Sequence, residues 1–218
     1  MAALKFRDQH TTHIFSDPHA FHKNICRGTT EWRDRGTSQS LRDFDTPEQM
    51  TGVLASNINN RVMPDHDLIC LGDWSFGGKD NVKKFRDMIN CRNIYFIGGN
   101  HDHHIENSPE LQKLFNKCWA KQGINFQVEI RVGGFKYCCG HYKPAIWNQS
   151  HHGVRALWGH SHGSMPDDPN SLSFDVGVDA VGYYFMGDGF RPINFIEVEE
   201  VMSRKTWTAV DHHRQETN

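Results

Sequence analysis

The chain has 218 residues, of which 37% are hydrophobic and 23% charged, a composition that suits one soluble globular domain and excludes a disordered chain. Its 24 Lys and Arg against 26 Asp and Glu give a formal net charge of −2, which does not indicate a nucleic-acid or membrane partner. The 15 histidines are the unusual feature. Histidine is the commonest metal ligand, so this excess favours a metal site.

The cysteines show no CxxC spacing, and several lie in apolar runs where a free thiol behaves as a small hydrophobic group. Residues 1–8 contain no apolar targeting segment, and nowhere do 18 apolar residues follow one another. These features predict a protein of the reducing cytoplasm without a disulfide framework.

Apolar runs at residues 12–15, 67–71 and 93–97 predict buried strands in the first half of the chain. Helices are predicted between and after them. Thr46 is a typical N-cap before Pro47, and the apolar face of that helix would be Met50, Val53, Leu54 and Ile58. Residues 81–89 and 109–117 have the same spacing. The alternation of strands and helices predicts βαβ units and a partly parallel sheet.

The second half of the chain has a different pattern. Residues 126–131 and 135–139, joined by Gly133 and Gly134, predict a hairpin, and residues 154–158, 172–178 and 193–198 predict further strands. We therefore expect a second, more antiparallel sheet. From residue 204 onward the sequence is polar, which predicts a loose tail.

Five of the predicted strands are each followed by a cluster of Asp, His or Asn. In open α/β sheets the carboxyl ends of the strands form the crevice where ligands bind. Mixed oxygen and imidazole donors are typical of transition-metal sites rather than of calcium sites. The clusters are Asp17-Pro18-His19, Gly72-Asp73, Gly99-Asn100-His101-Asp102, Gly140-His141 and Gly159-His160-Ser161-His162.

In this order the five motifs resemble the signature of the calcineurin-like metallophosphoesterases. The resemblance extends over about residues 12–200, and the segments 16–25 and 176–180 look like those of small bacterial and phage members. It implies an α/β fold, a four-layer α/β/β/α sandwich of two mixed sheets flanked by helices. We expect one such domain over residues 1–203 and a polar tail over residues 204–218.

The resemblance also implies a centre of two divalent metal ions. The first would be held by Asp17, His19, Asp73 and His162, and the second by Asp73, Asn100, His141 and His160, so that Asp73 bridges the pair. Manganese is the preferred metal, with iron, nickel and zinc as alternatives. His101 would lie beside the substrate and stabilise charge or protonate the leaving oxygen, with Asp102 orienting it.

Such a centre hydrolyses phosphate esters, because two cations neutralise the phosphate and lower the pKa of a bridging water until hydroxide is available. The Ser/Thr phosphatase branch of the family usually has Asp-Arg-Gly after its GD motif and Glu at the end of GNHE. Here Trp74 follows Asp73, and Asp102 ends the third motif. We therefore prefer as substrate a phosphodiester of a small molecule, for example a nucleotide.

Several alternatives stay open from the sequence. Within the same chemistry they are a phosphomonoesterase and a nuclease, although a nuclease would need a basic track for the nucleic-acid backbone. Outside enzymes they are a non-catalytic metal-binding module and a structural zinc protein, which would be expected to use cysteine ligands. The segment 26–45, rich in Arg, Asp and Thr, is predicted to be an insertion over the pocket.

Overall fold

Two five-stranded sheets pack face to face in the computed structural model, which describes residues 3–32, 41–123 and 125–207. The strands are β1 (Leu4–Phe6), β2 (Thr12–Phe15), β3 (Asp67–Cys70), β4 (Asn93–Phe96), β5 (Lys117–Cys118), β6 (Gln127–Val132), β7 (Phe135–Gly140), β8 (Arg155–Trp158), β9 (Ser173–Asp175) and β10 (Ile193–Asn194). The helices are α1 (Pro47–Arg61), α2 (Lys79–Asp87), α3 (His103–Glu106), α4 (Pro109–Gln112), α5 (Val178–Tyr184) and α6 (Phe195–Ser203).

The first sheet has the strand order β10-β2-β3-β4-β5, and only β10 is antiparallel to its neighbour. The second sheet has the order β1-β6-β7-β8-β9, with a single antiparallel pair, the β6–β7 hairpin that turns at Gly133 and Gly134. Both sheets are therefore mixed. The hairpin and the parallel first sheet are confirmed, but the expectation that the second sheet is the more antiparallel one is wrong.

One hydrophobic core lies between the sheets. It combines Ile14 and Ile69 of the first sheet with Ile130 and Leu157 of the second. Alternate residues of the first sheet point to its other face, where Phe15 and Phe96, among others, pack with residues of α1 and α2. Strands buried on both faces are apolar at consecutive positions, which explains their unbroken apolar runs. The expected α/β sandwich of two mixed sheets with helices, in a single domain, is confirmed.

The helices differ in detail from the sequence prediction. Thr46 caps α1 as expected, since its hydroxyl accepts a hydrogen bond from the Gln49 N–H, but Val53 is exposed. The helix predicted over residues 109–117 is the single turn α4. The strand predicted over residues 193–198 is wrong after residue 194. There Asn194 and Glu197 form a capping box that begins α6, so the local cap overrides the apolar run.

The first residues of the predicted loose tail are fixed to the domain. The Lys205 ammonium lies 2.6 and 2.7 Å from the two carboxylate oxygens of Asp167, and the Thr206 N–H donates to the Pro169 carbonyl. The remainder of that tail, residues 208–218, lies outside the described residues, as do Arg33 and Arg35 of the predicted insertion.

Across the ranges that the structure describes, every helix is too short or too polar to traverse a lipid bilayer. All six cysteines are free thiols, and five of them are buried.

His13 on β2 allows a test of the packing. The ring is 3% exposed, and burial, together with the nearby His66 and Arg61, lowers its pKa from 6.5 to about 4. Between pH 6.5 and about pH 4 the imidazole of His13 is protonated in the unfolded chain but neutral in the folded one. The free energy of unfolding therefore falls as the pH is lowered through this range, by up to about 3 kcal/mol.

His13→Phe is expected to remove this part of the pH dependence in urea unfolding curves recorded from pH 7 to pH 4. The exposed His10→Phe is the control, and equal pH slopes for His13→Phe and the wild type would contradict the assignment.

Candidate metal centre

The polar clusters of both sheets converge at one end of the sandwich. Because β2, β3 and β4 are parallel, the loops after them bring Asp17, Asp73 and Asn100 to the same edge. The parallel strands β7 and β8 bring His141 and His160 to the facing edge of the second sheet. Backbone hydrogen bonds join the two edges, since the Ser16 N–H donates to the Val176 carbonyl at 3.2 Å.

The first group of candidate ligands is Asp17, His19 and His162. One donor atom from each lies within 4.8 Å of the others. The Nε2 atoms of His19 and His162 face each other at 3.1 Å, and the Asp17 Oδ1 atom is 3.9 Å from His19 Nε2. Asp17 and His19 are buried, and His162 is half-buried.

The second group is Asp73, His141 and His160, with Asn100 beside it. The Asn100 Oδ1 atom lies 2.9 Å from His141 Nε2 and 3.0 Å from His160 Nδ1. All seven ligands predicted from the sequence are therefore brought into two adjoining groups.

Asp73 joins the two groups. Its Oδ2 atom is 3.4 Å from His19 Nε2 in the first group and 3.5 Å from His141 Nε2 in the second. Metal-bound imidazole nitrogens lie about 2.0–2.1 Å from a cation such as zinc, so neighbouring ligands of one ion are about 3–3.5 Å apart. The separations around Asp73 Oδ2 fit a carboxylate shared by two ions.

The contacts of the ring nitrogens in the second group leave a lone pair facing an oxygen acceptor, which is the arrangement that suits a cation. His141 Nδ1 lies 2.7 Å from the Leu71 carbonyl oxygen, which only accepts, so the neutral ring is protonated there and turns the Nε2 lone pair toward Asn100 Oδ1. In the first group His162 Nδ1 lies 2.6 Å from an Asp179 oxygen and its Nε2 atom faces His19; the carboxylates of Asp179 and Asp17 outweigh burial and raise the pKa of His162. In its neutral form the ring presents an Nε2 lone pair to a cation. A cation between these atoms satisfies both lone pairs at once.

Burial makes the first group unfavourable for free charges. It raises the pKa of Asp17 well above the usual range and lowers that of His19 well below it. The Asp17 Oδ1 atom is buried with no hydrogen-bond partner among the described residues. A divalent cation would stabilise the carboxylate form of Asp17, and the neutral imidazole of His19 is the form that binds metal. The residues present thus fit a divalent cation.

The ligand loops have strained backbones. Five of the seven candidate ligands have a left-handed φ between 47° and 67°, namely Asp17, His19, Asp73, His160 and His162. Residues other than glycine rarely adopt this region, and they cluster there at functional sites. The glycines of the motifs allow the loops to approach closely. A Cβ at Gly99 would lie 2.3 Å from Asp73 Oδ1, and one at Gly159 would lie 2.4 Å from Asp17 Oδ2.

Buried carboxylates hold these loops in place. Asp102 accepts hydrogen bonds from the backbone N–H groups of Asp73 (2.6 Å), Gly99 (2.7 Å) and Trp74 (2.9 Å). It therefore joins the loops after β3 and β4, and its role in orienting the His101 ring stays a prediction. Burial and the neighbouring Asp73 raise the pKa of Asp102 to about 7.

Asp175 does the same for the loop after β8. It accepts hydrogen bonds from the Ser161 hydroxyl at 2.5 Å and from the N–H groups of Gly163 and Gly177 at 3.3 and 2.7 Å. The Asp17 Oδ2 atom also accepts the His160 N–H at 2.8 Å. The GHSH segment is thus held from two sides.

Arg42 links the first group to α5. Its guanidinium, 3% exposed, donates to the carbonyls of Asp17 (2.6 Å) and Pro18 (2.7 Å) and forms two hydrogen bonds with Asp179 at 2.9 and 2.8 Å. Asp179 in turn contacts His162. Burial alone would raise the pKa of Asp179, but Arg42 and His162 outweigh it and hold that pKa at about 2.

Three residues of the site, Arg42, Asp175 and Asp179, were not predicted from the sequence. Arg42 lies in a segment without a recognisable pattern, and its role depends on a contact 137 positions away in the chain. The only signal for Asp179 was its place within the 176–180 segment of the family resemblance.

Other side chains frame the open side of the centre. His101 is exposed, and its ring lies 4.8 Å from that of Phe76 and 5.6 Å from that of His19. His22 packs against Phe76 at 3.7 Å. Trp74, by contrast, is fully buried among Phe15, Phe85 and other core rings, and so cannot stack on a ligand.

Comparison with known proteins supports the fold but not an activity. No protein-family model and no curated protein matches the chain. Among solved structures it is similar to a protein of unknown function from Aquifex aeolicus, with a TM-score of 0.55 and 17% identity over 87% of this chain and 98% of that one. At this identity the likeness concerns the architecture alone.

The Arg42 contacts lead to a prediction on metal binding. Arg42→Lys removes the paired hydrogen bonds to Asp179 and is expected to weaken the binding of a divalent cation, with Mn²⁺ as the probe, by about 10- to 100-fold, the usual effect of losing a residue that orients a ligand. Stepwise calorimetric titration of the metal-free protein measures it. Asp179→Asn is expected to act in the same way.

Arg155→Lys is the matched control, because Arg155 makes the same two-point contact with Glu199, at 3.0 and 2.7 Å. Wild-type Mn²⁺ affinity in Arg42→Lys and Asp179→Asn would disprove the positioning role.

Proposed function

We propose that this protein is a dinuclear metal-dependent phosphoesterase that hydrolyses a phosphodiester. The observation that carries the proposal is the position of Asp73, whose Oδ2 atom lies within 3.5 Å of an imidazole nitrogen in each of the two ligand groups. A carboxylate between two groups of neutral nitrogen and oxygen donors is typical of hydrolases with two cations about 3.5–4 Å apart.

Asp17, His19, Asp73 and His162 are the ligands that we assign to one divalent ion, and Asp73, Asn100, His141 and His160 those of the other. When bound, such ions neutralise phosphate oxygens and lower the pKa of a water molecule. The mixed donor set suits manganese, with iron, nickel and zinc as alternatives. Asp102, Asp175 and Arg42 keep the donor atoms in position, which reduces the reorganisation needed during the reaction.

His101 is the residue that we assign to the leaving group. It is exposed, unlike Asp17, His19, Asp73 and His141, so its ring can reach a bound substrate. Its backbone N–H donates to Asp73 Oδ1 at 2.9 Å, which fixes the residue beside the shared carboxylate. From that position the imidazole can donate a proton to the departing ester oxygen, the role of a general acid.

The diester preference rests on the sequence of the GD and GNHD motifs, and the near-neutral charge weighs against a nuclease. The free thiols are in keeping with the cytoplasmic location that we propose.

A side-by-side assay of bis-p-nitrophenyl phosphate, p-nitrophenyl phosphate, cyclic nucleotides and single-stranded DNA tests the substrate class. Hydrolysis of p-nitrophenyl phosphate alone would overturn the diester preference.

Asp73→Asn is expected to abolish hydrolysis and to lower the content of bound metal, because an amide is a weaker ligand than the carboxylate it replaces. Elemental analysis of the purified variant and an assay with bis-p-nitrophenyl phosphate measure the two effects. Near-normal activity or full metal content would contradict the bridging assignment.

His101→Ala is expected to retain both metal ions and to lower kcat by about 10²- to 10⁴-fold, as for loss of a general acid. The exposed His103→Ala, at the start of α3, is the control and should leave kcat unchanged. An unchanged kcat in His101→Ala would remove His101 from the mechanism.

A further inference from the structure

A cavity of about 500 Å³ adjoins the second ligand group. Its walls come from residues 142–145, which follow the candidate ligand His141, and from residues 158–161, which contain the candidate ligand His160. Met165 forms a further wall. Two of the segments that carry candidate ligands therefore also shape this cavity.

The walls are apolar and aromatic. They include Tyr142, Pro144 and Ala145, which are half-buried or exposed, and Trp158, which is only 2% exposed. None of the described residues that line the cavity is acidic. Its one ammonium group belongs to Lys143, which lies 5.2 Å from the centre of the Trp158 ring. An uncharged planar group gains most from such walls, since it can stack on the half-buried Tyr142 ring and contact the methionine sulfur.

His160 connects the cavity to the candidate centre. Its Nδ1 atom lies 3.0 Å from Asn100 Oδ1 on one side, and its ring lies 4.3 Å from that of Tyr142 on the other. A phosphate held at the second ligand group would therefore have one ester arm at the mouth of the cavity. Ser161, at the same mouth, donates its hydroxyl to Asp175 and so offers this arm no free donor.

We propose that this cavity binds an uncharged aromatic arm of the phosphodiester, an aryl group or a nucleobase. The proposal rests on the proposed function and deepens it, because it names the part of the substrate that the chain selects. The protein is then expected to bind a diester with one aromatic arm more tightly than a diester with only small alkyl arms.

Phosphonates test this without turnover, because their carbon–phosphorus bond is not an ester. Phenylphosphonate is expected to bind the Mn²⁺-loaded protein about tenfold more tightly than methylphosphonate in calorimetric titration, since the ring leaves water for an apolar wall. Equal affinities would overturn the proposal.

Ala145→Phe fills the cavity and is expected to reduce the phenyl-to-methyl ratio of affinities to below about threefold. Ile146→Phe is the matched control, because Ile146 is the next residue, is 63% exposed and does not line the cavity. Met165→Ala removes a wall and is expected to lower the ratio as well. A ratio that falls equally in Ile146→Phe, or that falls in neither Ala145→Phe nor Met165→Ala, would disprove the site.

The p-nitrophenyl esters of the same two phosphonates distinguish failure of the aromatic site from failure of the proposed phosphoesterase activity. Both release p-nitrophenolate, so the KM for the phenyl compound is expected to rise in Ala145→Phe while the KM for the methyl compound changes less than about twofold. Hydrolysis of both compounds with KM values that do not change in Ala145→Phe would reject the aromatic site and leave the phosphoesterase standing. Failure of any phosphonate to bind and of any ester to be cleaved would reject both.

Discussion

Negative charge that is shielded from water is the constraint on which this site depends. Asp17, Asp73, Asp102 and Asp175 are all buried at the joint between the two sheets. An ionised carboxylate in such a place is stable only if hydrogen-bond donors or cations surround it. Backbone N–H groups donate hydrogen bonds to the carboxylates of Asp102 and Asp175, and the Arg42 guanidinium pairs with the half-buried Asp179. Asp17 has an oxygen that no described protein donor reaches, and this is where a divalent cation fits best.

Some of these carboxylates accept backbone hydrogen bonds and others are candidate metal ligands. The first kind explains how the loops keep an unfavourable conformation. Ligands such as His19 and His160 have left-handed backbones, which on their own would relax to a commoner region. The loops are instead fixed from several sides, by Asp102 at the GD and GNHD segments and by Asp175 at the GHSH segment. The carboxylates that bind loops thus hold in place the carboxylates that we propose bind metal.

The sequence predicted those parts of the molecule that depend on local patterns. Apolar runs located eight of the ten strands that the structure describes, all except β1 and β5, and short motifs directly after five of them contained the seven candidate ligands that the structure brings together. It did not predict Arg42 or Asp175, because their roles arise from contacts between distant segments that leave no local signal. The error at residues 193–198 had another cause. An apolar run permits strand or helix, and the capping box of Asn194 and Glu197 decides in favour of the helix.

The distance along the chain between the candidate ligands has a consequence for the order of folding. His19 and His162 are 143 positions apart, and each belongs to a segment attached to a different sheet. Bringing such remote positions together has a high entropic cost, so the contact forms late, after the sheets have docked. A cation of the kind that we propose would therefore find its ligands only on an already assembled chain. Its binding would stabilise the finished fold and would not nucleate folding.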